Sequence, residues 1–347
     1  MIKYSVIIPV YNSKETLSPC LAAIKKQASR QTEIIVVDDC STQKGMKEIV
    51  KCFTNNFFQL KKNYGAGRVR NFGAKKAKGE WLIFIDSDVI VSGNFFKEVT
   101  RKTNPDSFKE KLLPKKQCLQ GVYSWQTPIG SIYSQYKNLY YYYNFFYRIK
   151  KEKYSYLSSH CFILRKEAFE EVGGFNPQIK GVSEDADLGF RLFQKGYSVI
   201  LDTKLLVTHL KNFSLSSLLK NDAKLSFAKV KHILRNIHKK DSDRLVVVSG
   251  GRMSEMYPII GSVLLSPIIL VVLLLSVFFQ NSIFLLLLVL LLFAFALLNF
   301  NFIKFIGDKK GTLYLLKIIP IFYLDMLSAF FGTMIGVVDY FLFVRRY

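Results

Sequence analysis

Through its first half the chain alternates short apolar runs with amphipathic stretches. Val6–Val10, Ile34–Val37 and Trp81–Ile85 are rich in β-formers and too short for buried helices. Between them, apolar residues recur at helical spacing over Thr16–Lys26, with Ser13 as N-cap, and over Lys44–Phe53. A turn at Gly65-Ala66-Gly67 opens a third helix that stops near Lys78-Gly79. Strands separated by helices predict an α/β fold with a doubly wound, mostly parallel sheet. Lys97–Lys116, broken at Asn104-Pro105 and Pro114, reads as a surface connection. Ile132–Arg148 reads as a helix with Tyr133, Tyr136, Tyr140, Tyr143 and Tyr147 on one face. Such a stripe suits either packing or a half-wet wall against acceptor or membrane.

Beyond residue 210 the pattern changes. Residues 211–256 mix Leu215, Leu218 and Leu219 with Lys211, Lys220, Lys224, Lys229 and Lys231, as in an amphipathic linker lying on a lipid surface. Between Met256 and Lys304 there is no charged residue. Residues 257–279 and 283–303, separated at Gln280-Asn281-Ser282, are each long enough at ~1.5 Å per residue to cross ~30 Å of hydrocarbon. A hairpin of this kind returns Lys304, Lys309 and Lys310 to the side of the basic first domain, which by the positive-inside rule is the cytoplasm. Residues 313–343 form a third apolar stretch, interrupted by Lys317, Pro320, Asp325 and Asp339. Asp325, Gly332, Gly336 and Asp339 share one helical stripe, expected to pack against the hairpin. A full crossing would place Arg345-Arg346 outside, and a re-entrant or interfacial course would keep them inside; both stay open. The expected organisation is therefore a first domain over 1–210, a linker over 211–256 and a membrane domain over 257–347.

Charge narrows the partners. The chain of 347 residues carries 49 Lys and Arg against 26 Asp and Glu, a net +23. Nearly all of that excess precedes Arg252, and it favours anionic partners such as acidic lipids or a nucleotide-linked substrate. No nucleic-acid-binding signature accompanies it, so no nucleic acid is expected. The chain runs into its first strand without a charged-then-apolar leader. Cys20, Cys40, Cys52, Cys118 and Cys161 are odd in number and lack metal-ligand spacing, as reduced structural thiols do.

Candidate chemistry collects where strands end. Asp86-Ser87-Asp88 follows the apolar run of Trp81–Ile85, and two carboxylates at a strand's carboxyl end can hold a hard divalent cation shared with phosphate oxygens. Pro9-Val10-Tyr11-Asn12 ends the first strand without glycine, so a ring can lie against it. Asp38-Asp39 closes the second, where a carboxylate can accept from a base N–H or ribose hydroxyl, or cap a helix. Gly65-Ala66-Gly67 with Gly73 is not a dinucleotide fingerprint, because it follows a later strand at the wrong spacing. Glu184-Asp185 stands at a helix start, where acids also serve the helix dipole.

Taken in order, Ser5–Asn12, Val37–Thr42, Asn63–Gly73, Ile85–Asp88 and Glu184–Leu188 closely resemble the motifs of the family 2 glycosyltransferases, across roughly residues 4–210. The resemblance implies the GT-A fold and a nucleotide-sugar donor, UDP-linked in preference to GDP-linked. It implies donor binding at Pro9, Tyr11, Asp38, Asp39, Arg70 and Asp86, a Mn2+ or Mg2+ ion on Asp88, Asp86 and His209, and Asp185 as general base supported by Glu184. Arg70 can instead serve an ion pair, and His209 can be a satisfied surface histidine. Two departures stand out: Cys40 replaces the usual glycine after Asp38-Asp39, and Ser158-Ser159-His160 stands where glycines are common. The expectation is a multi-pass plasma- or inner-membrane enzyme, its catalytic domain cytoplasmic, that moves a sugar with inversion to a lipid-linked or glycan acceptor. The alternatives are transfer to polyprenyl phosphate, which needs no base, and a catalytically silent nucleotide-binding scaffold at the membrane.

Overall fold

The computed structural model describes residues 1–104, 115–148, 157–179, 183–236 and 253–343. They fall into two compact units, Met1–Ile129 with Asn144–Lys211, and Gly130–Tyr143 with Asn212–Tyr347.

The first unit is built on one eight-stranded sheet. Its strands are β1 (Tyr4–Val10), β2 (Thr32–Asp38), β3 (Phe57–Gln59), β4 (Trp81–Ile85), β5 (Val89–Val91), β6 (Gln117–Tyr123), β7 (Cys161–Arg165) and β8 (Ser198–His209), in the order β3-β2-β1-β4-β7-β6-β8-β5. The first four are parallel; β7 turns against both β4 and β6, and β5 against β8. Helices α1 (Lys14–Lys25), α2 (Met46–Lys51) and α3 (Ala66–Lys76) link β1 to β4, and α4 (Phe95–Thr103) follows β5. After β3 the chain passes back over β1 and lays β4 on its other side, which makes the β1/β4 boundary a topological switch point, where open α/β sheets bind ligands.

All five residues of β4 are buried, as its uninterrupted apolar run requires. Phe84 stacks on Phe162 at 4.5 Å between ring centroids and meets Phe175 edge-on at 5.8 Å. Each such side chain contributes ~1.5–3 kcal/mol on leaving water. Gly79 lets the chain enter β4 in contact with β1, since a Cβ there would meet the Ser5 backbone nitrogen at 2.7 Å. One expectation changes. The surface connection over Lys97–Lys116 is helical through Thr103, where Val99 packs inward while Thr103 donates to the Val99 carbonyl; residues 105–114 lie outside the described chain. Strand β8 runs on to His209 because it pairs with β6 on both sides of a bulge and with β5 at its end.

The second unit is helical. It comprises α5 (Ile132–Tyr143), α8 (Leu215–Asn236), α9 (Met253–Phe279), α10 (Ser282–Leu298), α11 (Phe300–Lys310) and α12 (Thr312–Leu342); α6 (Lys166–Glu171) and α7 (Glu184–Gln194) belong to the first unit. The tyrosine face of α5 is packing: Tyr136 stacks with Tyr140 at 6.0 Å, and Tyr140 meets Phe302 edge-on at 5.6 Å. The stretch expected as one span over 283–303 is instead two helices bent by 72°. Asn299 ends α10 with its side chain buried, donating to Ser262 Oγ at 2.7 Å and to the Phe295 carbonyl at 2.9 Å. The Gly332–Gly336 stripe of α12 packs on α8: a Cβ at Gly336 would meet the Phe227 carbonyl at 2.8 Å, and one at Gly332 would strike the Ala223 backbone. Among the described residues, two helices are long and apolar enough to cross a membrane, or three if the bent pair counts as one span.

Candidate active site

The turn after β4 is tethered at every residue. The Asp86 N–H donates to the His160 carbonyl at 3.1 Å, Ser87 Oγ donates to Ser13 Oγ at 2.9 Å, and the Asp88 carbonyl accepts from the Leu210 N–H at 2.7 Å. Asp86 and Asp88 keep about a third of their side chains open, 28% and 31%. The β5–β8 pairing sets Val89 opposite His209, and that register brings His209 Nε2 to 3.4 Å from Asp88 Oδ2. Burial would raise the Asp88 carboxyl, but His209 and Lys211 hold it below its ordinary value.

Asp86 turns the other way. Arg70, 3% exposed on α3, donates to Asp86 Oδ1 at 2.6 Å and to Glu184 Oε1 at 3.3 Å, with its guanidinium 5.4 Å from the Phe175 ring. Arg70 thus joins two carboxylates, the ion pair that its sequence position allowed beside donor binding. Burial, reinforced by Asp88, raises the Asp86 carboxyl against the pull of Arg70. Burial and the neighbouring Asp185 push Glu184 up to about 7, again against Arg70.

Asp185, half-buried in the first turn of α7, accepts from the Ser159 N–H at 3.0 Å through Oδ2 and from the Ala186 N–H at 2.8 Å through Oδ1. Its carboxylate is held by the backbone just before β7 and by the first turn of its own helix. Its charge reaches both Asp86 and Glu184, so these carboxylates and Arg70 form one electrostatic group.

The remaining predicted residues line the ends of β1 and β2. Tyr11 is 48% exposed just past β1, and Pro9 is half-buried within it. Asp38 and Asp39 are buried and engaged. Asp38 accepts from the Ser41 N–H at 3.0 Å and from Gln59 Nε2 at 3.0 Å. Asp39 accepts from the Tyr64 and Gly65 N–H groups at 2.7 and 2.8 Å, bracing the turn into α3. Asn12 ties the two strand ends together through Thr42 and Gln43.

Sequence reasoning missed the ring stack behind His209. His160 stacks on Tyr123 at 3.9 Å, and Tyr123 lies 5.0 Å from His209. Burial and the nearby His209 pull His160 down to about 3, so it stands neutral between Ser158 Oγ and the Gly121 carbonyl. The signal was the Ser158-Ser159-His160 departure, whose backbone also positions Asp185.

Among the described residues, no three His, Cys, Asp or Glu side chains converge on one point. Asp88 and His209 supply one hard oxygen and one imidazole nitrogen. That suits a Mg2+- or Mn2+-type ion completed by substrate phosphates, which such ions accept with only one or two protein ligands.

Residues 5–173 match the family model Glycosyl transferase family 2. The first unit carries a family 2 glycosyl transferase domain. Over 84 residues, 24% of this chain and 29% of the relative, it is 38% identical to an uncharacterized glycosyltransferase of Haemophilus influenzae. Over 105 residues, 28% of this chain and 18% of the relative, it is 38% identical to the poly(ribitol-phosphate) β-N-acetylglucosaminyltransferase TarS of Staphylococcus aureus. The aligned segments span under a third of either relative. The mannosyltransferase PcManGT of Pyrobaculum calidifontis, crystallised with GDP-Man and Mn2+, covers 97% of this chain and 86% of its own with a TM-score of 0.57 at 13% identity, which shows a shared fold. The family 2 domain here is therefore GT-A-like: a mixed, mostly parallel sheet, with a helical region after it.

Proposed function

We propose that the chain is an inverting glycosyltransferase that takes a sugar from a nucleotide diphosphate donor and passes it to a hydroxyl of a lipid-linked or glycan acceptor at the cytoplasmic face of a membrane. One observation carries this reading. The carboxyl edge of the switch point gathers a cation-type pair, Asp88 with His209, and a separately held carboxylate, Asp185, joined through Asp86, Arg70 and Glu184.

The division of labour follows from the surroundings. Asp88 and His209 would hold the divalent cation, which when bound supplies charge neutralisation to the donor diphosphate. Tyr11 offers an exposed ring to the base at the end of β1. Asp38 and Asp39 shape that end of the pocket by fixing the loops after β2 and before α3. Asp185 accepts the acceptor hydroxyl proton; the hydroxyl oxygen attacks the anomeric carbon as the bond to the diphosphate oxygen breaks, so one displacement inverts that carbon. Glu184 and Arg70 fix the register between α7, α3 and the β4 turn. The family domain, the nucleotide sugar bound by PcManGT and the poly(ribitol-phosphate) named for TarS support this class of reaction. The helical unit supports membrane attachment, with anionic lipids drawn to the basic chain.

The test is incubation of membranes holding the full chain with UDP- and GDP-sugars, manganese and extracted lipids. The expected result is nucleoside diphosphate release with a matching glycolipid or glycan product, lost in Asp185→Asn. Release that is unchanged in Asp185→Asn would overturn the base assignment. Donor binding without release across the whole panel would overturn the enzyme in favour of a scaffold.

A further inference from the structure

Hydropathy alone offers α9, the bent pair and α12 as membrane crossings, yet the polar partners inside the helical unit contradict that depth. Helices α8 and α12 run side by side in the same direction. Ser328 donates to the Leu219 carbonyl, Gly332 meets Ala223, Gly336 meets Phe227, Lys231 pairs with Asp339, and Tyr340 donates to the Leu234 carbonyl. Whatever depth α12 has from Ser328 to Tyr340, α8 shares it. Along that length α8 exposes Lys220, Lys224 and Lys229. In a crossing those three ammonium groups would face hydrocarbon, where a Lys is strongly disfavoured unless it meets protein or water.

The surface that α12 turns away from its glycine stripe is apolar. On α12, Phe331, Met334, Ile335, Val338, Phe341 and Leu342 recur at three- and four-residue steps and are 44–71% exposed. An apolar stripe on one side and lysines elsewhere are what a helix needs to lie in the headgroup boundary of an anionic bilayer. The rest of the unit agrees. Tyr323 donates to the Ser266 carbonyl, so α12 passes α9 near the middle of its length. With α12 at the boundary, only Pro267–Phe279, about 13 residues or ~20 Å, of α9 extends beyond it, short of ~30 Å of hydrocarbon. The hairpin tip, Gln280-Asn281-Ser282, carries no charge and is flanked by exposed Phe278, Phe279 and Ile283. Conversely, a hairpin that crossed fully would draw the buried Lys137, Asp222 and Asp325 group to membrane depth along with the α8 lysines.

We infer that the helical unit is monotopic: α8 and α12 lie paired in one leaflet's headgroup boundary with the α12 stripe in the acyl layer, and the α9–α10 hairpin dips without emerging. The occupant of the stripe is an anionic lipid bilayer, and the inference stands whether or not the first unit transfers a sugar.

Full-length Phe331→Trp and Phe341→Trp proteins in phosphatidylglycerol-containing bilayers test it, using lipids brominated either near the glycerol or near the acyl end. The expected result is extra quenching over the parent protein, from the shallow bromines, with the same depth profile at both positions. A crossing would separate the two positions by ~15 Å along the normal, so preferential deep quenching at Phe331→Trp alone would overturn the inference. Absence of extra quenching at both would overturn it too, since the stripe would then be covered by protein. In a second arm, Gln280→Cys in intact cells is challenged with a membrane-impermeant maleimide. No labelling is expected, and labelling from outside would overturn the buried tip.

Discussion

Among the described residues, each unit buries a cation between two carboxylates, and the surroundings separate their roles. In the first, Arg70 bridges Asp86 and Glu184, and Asp86 keeps 28% of its side chain exposed at the end of β4. In the second, Lys137 bridges Asp222 and Asp325, and all three are sealed. A sealed triad of this type holds helices in register at a desolvation cost; a triad with one exposed member also holds its neighbours' charge states at a surface where a substrate can arrive. Backbone strain divides the same way. Of the four non-glycine residues with positive φ among those described, Asn12, Cys40 and Ser183 lie in the first unit, beside the ends of β1 and β2 and the start of α7; Gln280 is in the second. Strain gathered at the loops that carry the candidate residues is how a site whose geometry outranks local stability is built.

The comparison breaks most sharply at Asp185. Asp185→Asn should lower turnover by about 10²–10⁴-fold, the usual contribution of a positioned base, while the melting temperature stays close to that of the parent. Next come the two bridging cations. Removing one partner from a buried ion pair costs roughly 3–5 kcal/mol. Arg70→Met and Lys137→Met should therefore both lower stability in denaturant titrations, Arg70→Met somewhat less because Asp86 can reach water. The distinction is in turnover at a temperature where both remain folded: Arg70→Met should lose it, Lys137→Met should keep it. Equal losses in the two variants would erase the difference argued here.

Glu184 gives a smaller, pH-linked effect. Its carboxyl rises from an ordinary 4.5 to about 7, so between those values the folded chain holds more proton than the unfolded one. Stability from this group is therefore fully present below about pH 4.5 and is lost as pH rises toward 7, at up to ~1.4 kcal/mol per pH unit. Glu184→Gln should flatten that slope, measured as the unfolding midpoint at several pH values. A variant whose slope matches the parent would show that Glu184 is already ionised across the window.

The α/β architecture was legible because buried parallel strands leave uninterrupted apolar runs, as Trp81–Ile85 does, and because turn residues mark where they end. Asp86 and Asp88 were legible for the same reason, since a carboxylate beside such a run has no packing role; Glu184 and Asp185, at a helix start, were marked only by the family resemblance. What could not be read was pairing across distance. Arg70 and Glu184 are 114 positions apart, and no local period records that one guanidinium serves both Glu184 and Asp86. The same limit hid His160 behind His209, and it hid α5, whose tyrosines pack in the helical unit although the chain places them between β6 and β7. The bend at Asn299 was unreadable because an asparagine in an apolar run stops a helix only when its side chain finds other partners, here Ser262 and the Phe295 carbonyl.

Cys40 carries the smallest expected effect and the cleanest test of strain. It sits after Asp39 at φ 62°, in the left-handed region that costs a residue with a Cβ about 1–2 kcal/mol. The two neighbours that fix it are themselves fixed: Asp39 by the Tyr64 and Gly65 N–H groups, Ser41 by its bonds to Asp38. The loop therefore cannot relax, and the Cys40 thiol recovers only a 3.7 Å contact with the Lys61 carbonyl. Cys40→Gly should remove the strain, lose that weak contact and pay some unfolded-chain entropy, for a net gain of about 0.5–1 kcal/mol. In a unit of this size that is a rise of roughly 1–4 °C in melting temperature. Turnover should not change, because Asp38 and Asp39, which precede it, keep their partners. A fall in melting temperature would mean that the loop prefers a residue with a side chain, and that the strain at the rim of the cleft is apparent only.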